Sequence, residues 1–123
     1  MSAPRTLVSC PESPNCVSTL APAHDSRHAI SPYRYSATSS DAKTVLKTVL
    51  AGLPRTKLVE EEENYLHYEF TSLFLRFVDD VEFLFDDGTK TIQFRSASRT
   101  GYGDLGVNRR RMEDIRSRLQ GKL

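Results

Sequence analysis

The sequence is poor in the residues from which metal centres and disulfide-rich scaffolds are built. Among its 123 residues are two cysteines, three histidines and no tryptophan. Because a third and a fourth cysteine are missing, the zinc motifs made of several cysteines are excluded. No apolar run approaches the roughly 20 residues of a membrane span. The net charge is only +1 at pH 7, which gives no general attraction to nucleic acid or to an anionic membrane.

The chain divides by composition into two parts. Residues 1–38 are rich in Pro, Ser and Ala without a sustained hydrophobic period, which predicts an irregular N-terminal arm. Its apolar residues, among them Tyr33 and Tyr35, predict that the arm docks on the rest of the chain. Residues 39–123 predict an α+β core domain. With 38% hydrophobic and 27% charged residues, the whole chain is predicted to be a single soluble domain.

Cys10 and Cys16 enclose the short loop CPESPNC. A structural disulfide, two free thiols and a metal or catalytic role all stay open for this pair. A disulfide favours an oxidising compartment, whereas the first 30 residues lack the pattern of a secretory signal. We therefore expect a cytoplasmic protein if Met1 is the native start, and an exported, plastid or lumenal protein if Met1 begins a mature chain.

Hydrophobic spacing predicts a helix, four strands and a second helix in the core. The first helix follows possible N-caps at residues 39–41 and ends near Gly52. The second is predicted over residues 105–120, with Asp104 as its N-cap. The predicted strands cover residues 56–61, 65–72, 75–86 and 90–98. This order predicts a four-stranded antiparallel sheet with both helices on one face.

The last two strands flank Asp87-Gly88, a favoured two-residue hairpin turn that would pair Asp86 with Thr89. This register places apolar residues opposite apolar ones and acids opposite bases. The pairs that support it are Phe83 with Ile92, Val81 with Phe94, Glu82 with Gln93, and Asp80 with Arg95. Asp79 breaks the pattern on the apolar face, so we expect either a bulge or a partly buried, hydrogen-bonded carboxylate.

The strongest functional signal is the stretch from residue 95 to 111, in which a strand leads through three glycines into a basic helix. Backbone N–H groups at such a turn and helix N-terminus are suited to phosphate or carboxylate. Arginines bind the same groups with paired hydrogen bonds. We therefore predict a site for a small anionic ligand or an acidic group of a partner. Its predicted ligand-binding residues are Arg76, Arg95, Ser96, Ser98, Arg99, Gly101, Gly103, Asp104, Gly106 and Asn108.

The alternative is a structural network in which Asp80 and Glu82 satisfy Arg95 and Arg76, and the glycines only form the turn. In the predicted register Arg76 lies across from Arg99. The residues predicted to act structurally are Asp79, Asp80, Glu82, Cys10 and Cys16.

Motifs along nearly the whole chain resemble those of a bacterial and plastid family called domain of unknown function 1499. The matching segments are CPESPNCVS at 10–18, HAISP at 28–32, NYLHYEFTS at 64–72, FVDDVEF at 77–83 and RSASRTGYGDLGVNRRRMEDIR at 95–116. The family is uncharacterised, so the resemblance implies no activity, substrate or cofactor. It does imply that members often carry a signal or lipoprotein segment ahead of the CPESPNC motif.

Other function classes are less favoured by the sequence. His67 and Glu69 share a predicted strand face and could act as an acid–base set. However, the sequence has no nucleophile elbow, P-loop or dinucleotide motif. We predict no catalytic residue, cofactor or metal, and a hydrolase-like enzyme using His67 with Asp79 or Asp80 is the enzymatic alternative.

The exposed segments could meet two kinds of macromolecular partner, a nucleic acid or a protein. The basic helix is interrupted by Glu113 and Asp114, so no nucleic-acid partner is predicted. The arm and the acidic run at residues 60–63 could present a surface to a protein. An accessory or assembly protein that docks on a larger complex is therefore the second functional alternative.

Overall fold

The computed structural model describes residues 5–100 and 106–123. Within them the chain forms two helices and six strands in an α+β arrangement. The strands are β1 (Cys16–Ser18), β2 (Tyr33–Arg34), β3 (Thr56–Glu62), β4 (Tyr65–Thr71), β5 (Val78–Asp86) and β6 (Thr91–Ser98). The helices are α1 (Ser39–Ala51) and α2 (Val107–Leu119).

All six strands belong to one antiparallel sheet in the order β1-β6-β5-β4-β3, with β2 also paired to β6. The prediction of a four-stranded sheet is wrong, because β1 and β2 precede the helix, four strands and helix of the core and join its sheet. The arm supplies the two additional strands, which pair with the edge of β6 that the core leaves open. These strands have three and two residues, too few for an alternating pattern to be recognised in the sequence.

Both helices pack on the same face of the sheet, called here the inner face. Leu46 and Leu50 of α1 and Met112 and Ile115 of α2 lie in one buried cluster with the inward side chains of β4, β5 and β6. α1 begins at the N-cap Thr38, whose hydroxyl accepts a hydrogen bond from the Asp41 N–H at 3.1 Å. The observed N-cap therefore lies one residue before the first of the predicted caps, which were at residues 39–41.

The β5–β6 register differs from the predicted one by two residues. Asp86 pairs with Thr91, so the connection has four residues rather than two. Asp86 Oδ1 accepts hydrogen bonds from the N–H groups of Gly88 and Thr89 at 2.9 and 3.3 Å. These two hydrogen bonds to the Asp86 side chain favour the four-residue turn. A shift of two residues leaves every side chain on its predicted face, because the side-chain period of a strand is two.

β5 also begins three residues later than predicted, at Val78 instead of Leu75. Arg76 consequently lies outside the sheet, in the loop between β4 and β5. The residue beside Arg99 is Val78, whose carbonyl accepts the Arg99 N–H at 3.1 Å. The predicted juxtaposition of Arg76 with Arg99 is wrong.

The arm contacts both faces of the sheet and α2. On the outer face, which α1 and α2 leave uncovered, Arg5 forms ion pairs with Glu60 and Glu62. At α2, Arg116 donates hydrogen bonds to the carbonyls of Ser31 and Pro32. Arg116 of the basic helix α2 therefore helps to hold the arm in place.

Candidate functional site

The predicted ligand residues fall at the end of the sheet where β4 and β6 finish and β5 begins. They separate there into three groups: a cluster on the inner face, a cluster on the outer face and the β4–β5 loop. Gly101, Gly103 and Asp104 lie outside the described residues. Gly106 is at the N-cap of α2 with a φ of 79°, a backbone conformation that glycine adopts without strain.

The inner cluster consists of Asp79, Ser96, Asn108 and Arg111. Ser96 Oγ donates to Asn108 Oδ1 at 2.6 Å, and Asn108 Nδ2 donates to Ser98 Oγ at 3.0 Å. Ser96 and Asn108 are fully buried. Buried polar groups require such partners because each unsatisfied group costs about 1–3 kcal/mol. The side chains of Ser96, Ser98 and Asn108 are thus engaged with one another.

Arg111 completes the inner cluster, and it was missed by the sequence analysis. Its guanidinium donates to Asp79 Oδ2 at 2.6 Å and to Asn108 Oδ1 at 2.9 Å. The buried Asp79 is therefore the hydrogen-bonded carboxylate that its position on the apolar face predicted, and no bulge occurs in its pairing with Ser98. A signal existed: Arg111 lies three residues after Asn108 and four before Ile115, on the buried stripe of α2.

The loop closed by the disulfide between Cys10 and Cys16 is joined to the inner cluster. The Asn15 carbonyl accepts hydrogen bonds from the Ser98 N–H at 3.0 Å and from Asn108 Nδ2 at 3.3 Å. The disulfide alternative left open by the sequence is the one found. The bridge therefore fixes a loop whose backbone satisfies buried donors from both β6 and α2.

The outer cluster contains Arg99, Asp80, Glu69 and His67. Arg99 donates to Asp80 Oδ2 at 2.7 Å and to Glu69 Oε2 at 2.6 Å, and His67 Nε2 lies 2.8 Å from Asp80 Oδ1. The hydrogen bonds from Arg99, and to a lesser degree His67, hold the pKa of Asp80 below its usual value. The same carboxylates raise the pKa of Arg99. Arg99 is therefore paired within the chain.

Arg95 is the incompletely paired cation of the outer face. Its Nη1 is 3.9 Å from Glu82 Oε1, beyond hydrogen-bond range, and 14% of its side chain is exposed. Glu82 instead accepts a hydrogen bond from the Tyr65 hydroxyl at 2.5 Å. Arg95 Nε is buried without a hydrogen-bond partner among residues 5–100 and 106–123. A guanidinium carries five N–H donors, so this side chain retains unused binding capacity.

The enzymatic alternative depends on His67 and a neighbouring aspartate. Asp80 meets His67, whereas Asp79 points to the inner face and pairs with Arg111. Both cysteines are in the disulfide, so neither is a free thiol nucleophile. The pair of His67 and Asp80 alone does not identify a reaction.

The arm and the acidic run, which were predicted to dock a protein, are largely engaged within the chain. Tyr33 and Tyr35 of the arm are buried. In the acidic run, Glu61 pairs with Lys43 and Lys47. The role of these segments in docking a larger complex stays a prediction.

The comparison with protein families gives the chain its classification. Residues 6–119 match the model described as "Protein of unknown function (DUF1499)". The chain belongs to the DUF1499 family. No curated protein and no solved structure matches it significantly. The DUF1499 match covers the disulfide loop, both polar clusters and the β4–β5 loop, so it includes every described part of the candidate site.

Two further findings concern the described residues of this DUF1499 protein. Neither α1 nor α2 has the length and hydrophobicity needed to cross a membrane. Residues 5–100 and 106–123 contain no group of three or more His, Cys, Asp or Glu side chains that could hold a metal ion.

Proposed function

We propose that this protein acts by binding, without catalysis, and that its outer face binds a small anionic ligand or an acidic group of a partner through Arg95. The observation that carries the proposal is the buried, unpartnered Nε of Arg95. A cation removed from water is costly unless hydrogen bonds compensate it. An added carboxylate or phosphate would supply that compensation.

Charge on the outer face distinguishes Arg95 from its neighbour Arg99. Arg99 already has two carboxylate partners at hydrogen-bond distance. Arg95 has only Glu82, whose Oε1 lies 3.9 Å from Arg95 Nη1 and whose Oε2 accepts a hydrogen bond from Tyr65. A ligand with two anionic oxygens in a plane would match the fork of the Arg95 guanidinium. The other predicted ligand contacts, including those of the glycine turn, stay predictions.

The test is a thermal melt of the full chain with a panel of phosphorylated and carboxylated compounds. A compound at about 100 times its dissociation constant adds about 2.7 kcal/mol, which raises the Tm of a domain of this size by several degrees. We expect a selective shift with the wild type and none with Arg95→Gln. Arg34→Gln is the matched control, since Arg34 is an exposed arginine of β2, and it should keep the shift.

Two outcomes would contradict the proposal. The first is the absence of any shift across the panel with a folded wild-type protein. The second is a Tm shift of equal size in Arg95→Gln, which would show that the compound binds at a site other than Arg95.

A further inference from the structure

The β4–β5 loop, residues 72–77 (SLFLRF), is the most apolar exposed segment of the described chain. Its exposed fractions are 54% for Leu73, 88% for Phe74, 70% for Leu75 and 51% for Phe77. Single exposed apolar residues are ordinary, but a contiguous group usually marks an interaction site. Nothing in the proposed anion site on the outer face uses these side chains.

The loop is closed at its base, which makes it a defined projection. The Ser72 N–H donates to the Phe77 carbonyl at 2.9 Å, and the Phe77 N–H donates to Ser72 Oγ at 2.9 Å. Because Ser72 and Phe77 are bonded to each other, the four residues between them, 73–76, form the tip of the loop. Three of those four are large and apolar, and the fourth is Arg76.

Two arginines, Arg76 and Arg55, place positive charge beside this apolar tip. Arg76 is exposed within it. Arg55 lies at its base, where the Arg55 carbonyl accepts the Thr71 N–H at 3.0 Å and Arg55 Nε donates to the Thr71 carbonyl at 3.2 Å. Neither guanidinium forms an ion pair with a carboxylate of the described residues. Residues 70–78 include no acidic side chain, so no negative charge of the loop opposes these arginines.

We propose that the β4–β5 loop inserts its apolar tip into the surface of an anionic lipid bilayer. Apolar and aromatic side chains enter the boundary between headgroups and acyl chains, while nearby arginines remain at the level of the anionic headgroups. Each such cation adds about 1 kcal/mol of attraction to a negatively charged leaflet. This peripheral contact needs no membrane-spanning helix.

A second copy of the chain is the main competing occupant, and the size of the surface argues against it. A stable dimer buries about 800 Å² on each partner. Even at about 250 Å² for each of the four apolar side chains, the loop falls short of that area, because these side chains are only 51–88% exposed. Two loops facing each other would also bring together Arg76 and Arg55 of both copies, and like charges repel.

The absence of tryptophan from the chain provides a direct test. Phe74→Trp introduces a single tryptophan at the tip, and its emission should shift to the blue when vesicles of phosphatidylcholine and phosphatidylglycerol are added. The matched control is Leu20→Trp, because Leu20 in the turn after β1 is 55% exposed but remote from the loop. Its emission should not change.

Sedimentation with the same vesicles measures the contribution of each part of the loop. Phe74→Ser should weaken binding at least about tenfold, as expected when an aromatic side chain no longer leaves water. Arg76→Gln should weaken binding to anionic vesicles about fivefold and leave binding to pure phosphatidylcholine unchanged. Leu20→Ser and Arg34→Gln are the controls and should bind as the wild type does.

Three results would overturn this proposal. These are an unshifted emission of Phe74→Trp, equal vesicle binding by Phe74→Ser and the wild type, and a concentration-dependent dimer that Phe74→Ser abolishes. The last result would show that the loop binds a second copy of the chain rather than a bilayer. The proposal does not involve Arg95, so a failure of the anion site would leave this test intact.

Discussion

Each face of the sheet carries a polar cluster, yet the charged groups of the two faces are paired to different degrees. On the inner face Asp79, Asn108 and Arg111 are closed in by α2, and their hydrogen bonds satisfy one another. On the outer face Arg99 is paired, whereas Arg95 retains a donor without a partner. The Nε of Arg95 is buried as well, so its missing hydrogen bond is costly too. Unused binding capacity is therefore found on the outer face.

The largest effect is expected when the inner cluster is broken. Arg111→Ala leaves the Asp79 carboxylate buried without its charge partner, which should cost about 3–5 kcal/mol of unfolding free energy. Urea unfolding measures this loss. The double variant Asp79→Leu with Arg111→Met removes both charges and should recover most of the stability. If the single variant costs no more than an exposed ion pair, the inner cluster does not contribute as described.

An intermediate effect is expected from the disulfide loop that joins the inner cluster. Cys10→Ser with Cys16→Ser removes the restraint on a short loop, which should cost about 2 kcal/mol. The loss should be accompanied by faster hydrogen exchange at Ser98, whose N–H is bonded to the Asn15 carbonyl. Equal melting temperatures for the oxidised and reduced wild type would contradict this expectation.

The smallest effect is expected on the outer face. Asp80→Asn should cost less than about 1 kcal/mol at neutral pH, because the pair of Asp80 and Arg99 is partly exposed to solvent. The pH dependence of the stability that Asp80 contributes is more informative. Since the folded state lowers the pKa of Asp80, its stabilisation is present above the ordinary carboxyl pKa, about 4, and is lost as the pH falls through the lowered value.

Stability profiles between neutral and acidic pH test this assignment. The wild type should lose more stability on acidification than Asp80→Asn does, because the variant has no carboxylate to protonate at this position. Asp114→Asn is the control, since Asp114 forms an exposed pair with Arg118 on α2, and it should resemble the wild type. Identical acid profiles for wild type and Asp80→Asn would rule out the linkage.

The sequence predicted the helices and the four core strands well, because each has a hydrophobic period that burial imposes. The α+β class followed from those elements. The register of β5 and β6 was not predictable in the same way. A two-residue shift keeps every apolar residue on the inner face, so the pattern alone could not distinguish the two registers. The side chain of Asp86, which closes the turn, decided between them.

The candidate site was predicted less completely than the fold. Asp79 was conspicuous as an acid on an apolar face, but its partner Arg111 is one of three consecutive arginines and resembles an exposed residue. The pairing between the arm and β6 depends on residues far apart in the chain, which local patterns do not encode. Residues 75–77 of the apolar β4–β5 loop were predicted to begin a strand, because leucine and phenylalanine are also typical of strands.

The pairing of β1 with β6 has a consequence for the order in which the molecule is made. Cys16 pairs with Ala97, so the two strands are about 80 residues apart, a separation that slows folding. The arm leaves the ribosome early and has no partner strand until β6 has followed it. Until the arm then docks, the edge of β6 that β1 and β2 cover in the folded protein stays open to pairing with other chains. Docking of the arm therefore closes an edge that could otherwise pair with other newly made chains.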